Sequence, residues 1–223
     1  VEENLELANR TRPEDLSIAL SMPGRPVRYS RVEGAENLLR EEGETVFQCS
    51  TEHLKGFFDG IYDPSVVLDF GRVITGHIEI KLRGVKGGIV DIGYAERLID
   101  GHFNNALEGQ FADRLIMRDG EQTFRPFAWR GFRYVKLRFR SCFEPVIVRS
   151  VRAIATTYPY EERGKFESDD ETLNAVFDIC RYTVKLCSND FLMDTPWREQ
   201  GQWLGDVAAV TIPAIYACFG DTS

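Results

Sequence analysis

The residues between Asp194 and Asp206 concentrate groups that could do chemistry in one short window. The window holds three carboxylates, one guanidinium and two indoles: Asp194, Glu199, Asp206, Arg198, Trp197 and Trp203. Indole planes can cover the apolar face of a pyranose, while carboxylates can bind sugar hydroxyls or protonate a leaving oxygen. This combination of residue types indicates carbohydrate chemistry.

A plainer interpretation of the same window is a helix entry, with Asp206 as the N-cap and the tryptophans in a core. Pro196, Gly201 and Gly205 instead favour a shaped loop that leads into a helix. In such a loop, acids that lie apart in sequence can converge on one pocket. Residue types alone leave both interpretations open.

The order of the residues resembles the catalytic-loop motif of bacterial α-L-rhamnosidases, Asp-Cys-Pro-x-Arg-Glu-x-x-Gly-Trp-x-Gly-Asp. The positions in register with that motif are Asp194, Pro196, Arg198, Glu199, Trp203, Gly205 and Asp206. Two positions depart from it: Thr195 replaces Cys, and Gln202 stands where Gly usually precedes the Trp. The second departure bears on the backbone of the loop.

The part of the chain before residue 160 predicts an antiparallel β-sandwich. Short β-rich runs alternate there with Gly, Pro and Asp turns, over residues 65–70, 76–82, 89–94, 132–139 and 145–151. This part also resembles the sandwich that precedes the catalytic barrel in rhamnosidases, through residues 68–72 with Gly76, 94–98 with 100–101, and 126–135. The resemblance covers roughly residues 65–223.

The run from Phe132 to Phe139 predicts one buried and one solvated face. Its inward-facing residues are expected to be Phe132, Val135, Leu137 and Phe139, with Tyr134 fitting less cleanly. Its solvated face is expected to carry Arg133, Lys136, Arg138 and Arg140. The break in alternation near Tyr134 predicts a β-bulge. Glu96, Arg97 and Arg130 are expected to be solvated structural charges rather than ligand contacts.

Beyond Tyr158 and Pro159 the pattern becomes helical. Ser168-Asp-Asp-Glu171 has the form of a capping box. An apolar stripe that predicts a core face follows at helical spacing, through Leu173, Val176, Phe177, Cys180, Val184 and Cys187. A second apolar segment opens at Asp206, ends at Gly220 and should kink at Pro213.

These patterns and the resemblance together predict three regions. Residues 1–64 form an N-terminal segment that could belong to a preceding β domain, residues 65–158 an antiparallel β-sandwich, and residues 159–223 the first helices and catalytic loop of an (α/α)₆ barrel. The predicted fold class is therefore a β-sandwich followed by an α-helical segment. Because the remaining barrel helices are missing, we expect the chain to be the N-terminal part of a longer enzyme or a truncated gene product.

The resemblance implies an inverting glycoside hydrolase that acts on rhamnose-containing glycosides or oligosaccharides. By register Glu199 is the general acid, and partial burial and the nearby Asp194 and Asp206 would keep it protonated by raising its pKa. Asp194, Asp206 and Arg198 would bind the sugar, and Trp203 would be its platform. The family's general base is a Glu beyond residue 223, so these residues alone should be inactive. The alternatives are a non-catalytic carbohydrate-binding or structural module, and a barrel glycosidase for another sugar.

Composition narrows the partners and the compartment. A net charge of −8 argues against nucleic acid, and no apolar run approaches the roughly 20 residues that span a bilayer. Five cysteines without a Cys-x-x-Cys pair indicate reduced thiols and favour the cytoplasm, with an upstream export signal left open. Three scattered histidines (His53, His77 and His102) give no metal site, and we expect no cofactor.

Overall fold

The computed structural model describes residues 2–5, 20, 31–40, 43–49, 62–105 and 111–220. The chain divides into two units, Val1–Ile154 and Ala155–Ser223. The strands are β1 (Glu2–Leu5), β2 (Arg31–Glu33), β3 (Thr45–Gln48), β4 (Tyr62–Gly84), β5 (Ile89–Ala95), β6 (Leu98–Ile99), β7 (His102–Phe103), β8 (Ala112–Ile116), β9 (Gly120–Phe124), β10 (Arg130–Arg140) and β11 (Val146–Ala155). A 3₁₀ turn covers Ala35–Leu39. Of the residues named from the sequence, His53 lies outside the described residues.

The long strand β4 organises the first unit. The sheet runs in the order β2-β3-β11-β4-β10-β5-β8, and β1 and β9 also pair with β4. The start of β4 pairs with β1 and its end with β9, both antiparallel. This mostly antiparallel sheet, followed by helices, confirms the predicted fold class. Strands β1, β2 and β3 join the same sheet, and the predicted division into residues 1–64, 65–158 and 159–223 stays a prediction.

The predicted bulge lies where β10 pairs with β4. Phe132 pairs with Ile74 and Tyr134 with Asp69, so the extra residues are on β4 rather than on β10. Gly71 lies in this excursion with φ at 82°, a left-handed conformation that glycine adopts without steric cost. The extra residues of β4, the strand that pairs with β10, therefore cause the break in the alternation of β10.

The prediction of a solvated charged face on β10 is wrong for three of its four members. The buried residues are Lys136, Arg138 and Arg140. Arg138 Nη2 donates to Asp63 Oδ2 at 2.9 Å, and Arg140 Nε donates to Asp91 Oδ2 at 2.6 Å. Because both acids come from other strands, the charges are paired inside the sheet, which makes their burial tolerable. A local pattern of charges could not show those partners.

Glu96, just after β5, gives a pH-dependent prediction. Burial raises the pKa of this half-buried carboxyl above its ordinary value of 4.5, against the opposing charge of Arg97. The folded chain therefore holds this proton more tightly than the unfolded chain. Its contribution to stability is complete below the unfolded pKa and is lost as the pH rises through the folded pKa.

We therefore expect Glu96→Gln to raise the melting temperature relative to wild type near pH 7, and to change it little below about pH 4, where both side chains are neutral. Thermal unfolding of both proteins at the two pH values measures this. An equal difference at both pH values would contradict the prediction, because a pH-independent effect cannot come from this titration.

The described part of the second unit, residues 155–220, contains three helical segments and a π-helical turn. They are α1 (Glu171–Leu186), α2 (Leu204–Asp206), the π turn (Val207–Thr211) and α3 (Ile212–Phe219). The predicted capping box is wrong: Asp170 is the N-cap of α1, and its carboxylate accepts from the N–H groups of Thr172 and Leu173. Ser168 instead bonds to the side chain of Asn174. The side chain of Asp170 thus satisfies two of the free N–H donors at the start of α1.

The apolar stripe of α1 is buried only in part. Leu173, Val176 and Cys180 are exposed, whereas Phe177 and Val184 are half-buried and Cys187 is buried. The core of this unit consists of Ile215, Cys218 and Phe219 of α3, with these half-buried apolar residues packed against it: Tyr160, Phe177, Val184 and Leu192. One helix cannot cover the whole stripe of another, so the prediction of a core face is wrong for the exposed members.

Asp206 is the last residue of α2, whose N-cap is Trp203; it immediately precedes the π turn, and its side chain forms no capping hydrogen bond. The irregularity predicted at Pro213 takes the form of the π turn immediately before α3, which has this proline in its first turn. Proline lacks an N–H and crowds the carbonyl four residues earlier, which the wider π turn accommodates. Gly220 ends α3 in a left-handed conformation. No helix among the described residues is long and apolar enough to cross a membrane.

Candidate active site

Hydrogen bonds between Asp194 and Gly201 close the loop between α1 and α2. The N–H of Asp194 donates to the carbonyl of Gly201 at 2.9 Å, and its Oδ1 accepts from the N–H of Gly201 at 2.8 Å. One residue earlier, the N–H of Met193 donates to the carbonyl of Cys187 at 2.9 Å, which ties the loop to the end of α1. The interpretation of residues 194–206 as a loop is therefore correct, and the hydrogen bonds of Asp194 with Gly201 close this loop.

Glu199 lies between Arg198 and Trp203. Arg198 forms an ion pair with Glu199 Oε1, and Trp203 Nε1 donates to Glu199 Oε2 at 3.0 Å. The side chain of Glu199 is 37% exposed, so this acid is partly accessible to solvent. Both partners are donors, and they hold the carboxylate as an acceptor at the surface of this unit.

Two backbone features let Trp203 fold back onto Glu199. Gln200 has φ at 52°, and its Nε2 donates to the carbonyl of Pro196 at 3.0 Å, which reverses the chain. A Cβ on Gly201 would lie 2.9 Å from Trp203 Nε1, so only glycine leaves room for the indole. The left-handed position in this loop is Gln200 and not Gln202, so the departure at Gln202 costs no backbone strain.

Substituting alanine at Gly201 should therefore break the bond between Trp203 and Glu199. We expect Gly201→Ala to shift the indole N–H resonance of Trp203 and to lower the free energy of unfolding by about 1 kcal/mol. Gly205→Ala is the matched control, because a Cβ there meets nothing within 4 Å. In the helical segment that control should be stabilising by roughly 0.5–1 kcal/mol. An unchanged Trp203 resonance in Gly201→Ala would contradict the steric argument.

The structure brings three of the five predicted site residues together: Arg198, Glu199 and Trp203. Asp194 stands at the neck of the same loop, bonded to Gly201. Asp206 is exposed and lies one helical turn beyond Trp203, in α2. Glu199 is thus an acid held between a cation and an indole, and the convergence of Asp194 and Asp206 with it on one pocket stays a prediction.

Sequence reasoning missed a concave feature of the helical unit. A cleft of about 300 Å³ is lined by Tyr158, Tyr160, Asn189, Asp190, Phe191, Leu192, Ile212, Ile215 and Tyr216. None of the five predicted site residues lines it. Aromatic rings beside amide and carboxylate groups are residue types that suit a sugar. The signal in the sequence is the recurrence of aromatic residues on both sides of α1.

Each of the two units contains a region that matches a known protein domain. Residues 61–155 match the bacterial α-L-rhamnosidase concanavalin-like domain, and residues 161–221 match the bacterial α-L-rhamnosidase six-hairpin glycosidase domain. An α-L-rhamnosidase of Formosa agariphila is 26% identical over 164 residues, which is 69% of this chain and 17% of that protein.

Solved structures agree with this. A GH78 family rhamnosidase of Bacillus sp. GL1 matches with a TM-score of 0.67 and 28% identity, over 92% of this chain and 19% of that one. The fold is also shared with a Streptomyces avermitilis α-L-rhamnosidase complexed with L-rhamnose, at a TM-score of 0.53 and 23% identity, over 69% of this chain and 15% of that one.

The chain thus spans less than a fifth of the length of each of these relatives. Within that span the two matched domains follow one another along the sequence, and the residues of the loop lie inside the second. On these grounds, the chain belongs to the bacterial α-L-rhamnosidase family.

Proposed function

We propose that this chain carries the general acid and the sugar-binding loop of an inverting α-L-rhamnosidase, which releases terminal α-L-rhamnosyl residues from glycosides or oligosaccharides. The observation that carries the proposal is the contact of Glu199 with Arg198 and Trp203, in a loop of a rhamnosidase-family domain. An exposed acid beside an indole is accessible to a glycosidic bond and has an apolar plane next to it.

Glu199 is the group that we assign to protonate the departing oxygen. As the bond between the anomeric carbon and that oxygen breaks, the proton of Glu199 moves to the oxygen and a water attacks the opposite face of the sugar. A second carboxylate, the general base, takes a proton from this water.

The other loop residues are assigned to binding. Trp203 is 56% exposed and its N–H is held by Glu199, so one indole face is oriented beside the acid as a platform for the sugar. Asp194 uses Oδ1 to close the loop, which leaves Oδ2 for a hydroxyl. Asp206 presents its exposed carboxylate one turn further along and would bind another hydroxyl.

The Streptomyces avermitilis relative complexed with L-rhamnose supports rhamnose as the sugar. A neutral sugar also suits a chain with a net charge of −8, because it brings no charge to repel or to attract.

The test is hydrolysis of an aryl α-L-rhamnoside by the full product of the gene, with the first-formed anomer identified by proton NMR. We expect β-L-rhamnose to appear first, since inversion places the attacking water on the face opposite the leaving group. Appearance of α-L-rhamnose first would overturn the inverting mechanism. Hydrolysis of other glycosides with none of any α-L-rhamnoside would overturn the substrate.

The 223-residue chain by itself should show no appreciable turnover in the same assay. We assign no general base within it, and such a group typically supplies ~10²–10⁴-fold of the rate. Turnover by these residues alone that approaches the full product would show that the base is among them.

A further inference from the structure

Two cysteines that are far apart in sequence meet inside the first unit. Cys49 follows β3 and Cys142 follows β10, and both are at most 3% exposed. The N–H of Cys49 donates to the carbonyl of Cys142 at 2.8 Å, and the N–H of Cys142 donates to Cys49 Sγ at 3.3 Å. The two residues are therefore direct neighbours.

Both thiols lie among acceptors. Cys49 Sγ lies 3.5 Å from the carbonyl oxygen of Phe139 and 3.8 Å from Asp63 Oδ1, and Cys142 Sγ lies 3.1 Å from the carbonyl oxygen of Arg140. The hydrogen bond between the two thiols, together with burial, raises the pKa of Cys49 far above the ordinary range of a thiol. The Cys49 thiol is therefore protonated at rest and both sulfurs are buried, which makes oxidation of the pair slow in the closed fold.

We propose that Cys49 and Cys142 are a disulfide-forming pair, which a small-molecule disulfide such as oxidised glutathione converts into a covalent link between the end of β3 and the end of β10. One thiolate attacks the oxidant to give a mixed disulfide, and the second displaces the glutathione thiol. Two S–H bonds are lost and one S–S bond forms. The two electrons and two protons leave with the oxidant as two thiols.

The contacts between the two residues suit this link. One backbone hydrogen bond and a hydrogen bond between the two thiols hold Cys49 and Cys142 side by side, and a disulfide requires such close neighbours, with Cα atoms roughly 4.4–6.8 Å apart. The three other cysteines, Cys180, Cys187 and Cys218, lie on the helical unit. Cys49 and Cys142 are thus matched to each other by the fold of the first unit.

Access to the pair comes from the edge of the sheet. Strand β3 is four residues long, and its pairing with β11 and with β2 involves three residues on each side. Such a short strand near an edge opens at a lower free-energy cost than the central strands. Opening of β3 frees Cys49 for attack, so oxidation should be slow in buffer and faster in urea below the unfolding transition.

The experiment treats the full chain with oxidised glutathione, with and without sub-denaturing urea, and maps the tryptic peptides by mass spectrometry. We expect a linked peptide pair containing Cys49 and Cys142, lighter by two hydrogens, that forms faster in urea and disappears on reduction. The linked protein should melt several degrees higher, because the bond closes a long loop of the unfolded chain that contains β4 to β10.

The exposed Cys180 should form a mixed disulfide with glutathione and so reports that the oxidant was delivered. Cys142→Ala should abolish the link and the rise in melting temperature, while Cys187→Ala should retain both. The wild-type peptide map stands even where a variant fails to fold. Modification of Cys180 without any link between Cys49 and Cys142 in urea would overturn the proposal, as would a linked protein that melts lower than the reduced one.

Discussion

Glu199→Gln is expected to lower kcat of the full gene product by ~10²–10⁴-fold, because glutamine cannot give a proton to the departing oxygen. Glutamine retains a side-chain carbonyl that can accept from Trp203 Nε1, so the loop should keep its shape and rhamnose should still bind. The loss should be larger for a sugar or alkyl leaving group than for nitrophenolate, since nitrophenolate departs as a stable anion without protonation.

The measurement is kcat and KM on both kinds of rhamnoside, with rhamnose binding followed by calorimetry. Glu161→Gln is the matched control, because Glu161 is an exposed carboxylate that is also paired with a nearby arginine, Arg163. The control should leave kcat unchanged. Equal losses on both substrates would remove Glu199 from the role of acid. Binding without hydrolysis in the unmodified protein would support the carbohydrate-binding module instead.

Asp91→Asn should cost the first unit about 3–5 kcal/mol of stability, the largest effect on folding that we expect. Asp91 on β5 is fully buried and accepts at both oxygens: from Arg114 Nε at Oδ1 and from Arg140 Nε at Oδ2, each at 2.6 Å. Asparagine has nearly the same volume but no charge. It would remove the negative charge that accepts from the buried guanidinium of Arg140.

Urea unfolding of the two proteins gives the difference in free energy. Asp69→Asn is the control: Asp69 also binds an arginine through both oxygens, Arg133 at 2.8 and 2.9 Å, but this pair is exposed. Solvent screens such a pair, so its loss should cost at most about 1 kcal/mol. If Asp91→Asn cost no more than Asp69→Asn, burial would not be what makes the Asp91 interactions strong.

Sequence reasoning predicts the strand that carries the buried arginines but not the acids that pair with them. Alternation at period two was enough to predict strands over residues 132–139, because side-chain direction along a strand is a local property. The same alternation placed Arg138 and Arg140 on a solvated face, which is wrong. Their acids, Asp63 and Asp91, come from other strands, and no local pattern reports which strands become neighbours.

The candidate site likewise has features that the sequence predicts and features that depend on the folded structure. The order of residues from Asp194 to Asp206 was sufficient to predict a loop and to suggest a glycosidase family, and the family is confirmed. The roles of these residues stay predictions. The pairing of Glu199 with Arg198 and Trp203 depended on the left-handed Gln200 and on the space above Gly201. Those are properties of a folded turn.

By itself, then, the sequence determined the types of elements, their order and the family of the helical loop, since these depend on short-range periodicity and on residue order. Only the tertiary structure decided which face of α1 is covered, which acids neutralise the buried arginines, and that Cys49 meets Cys142. Those contacts join residues that are distant along the chain. They exist only after strand pairing has brought the residues together, and no local propensity encodes them.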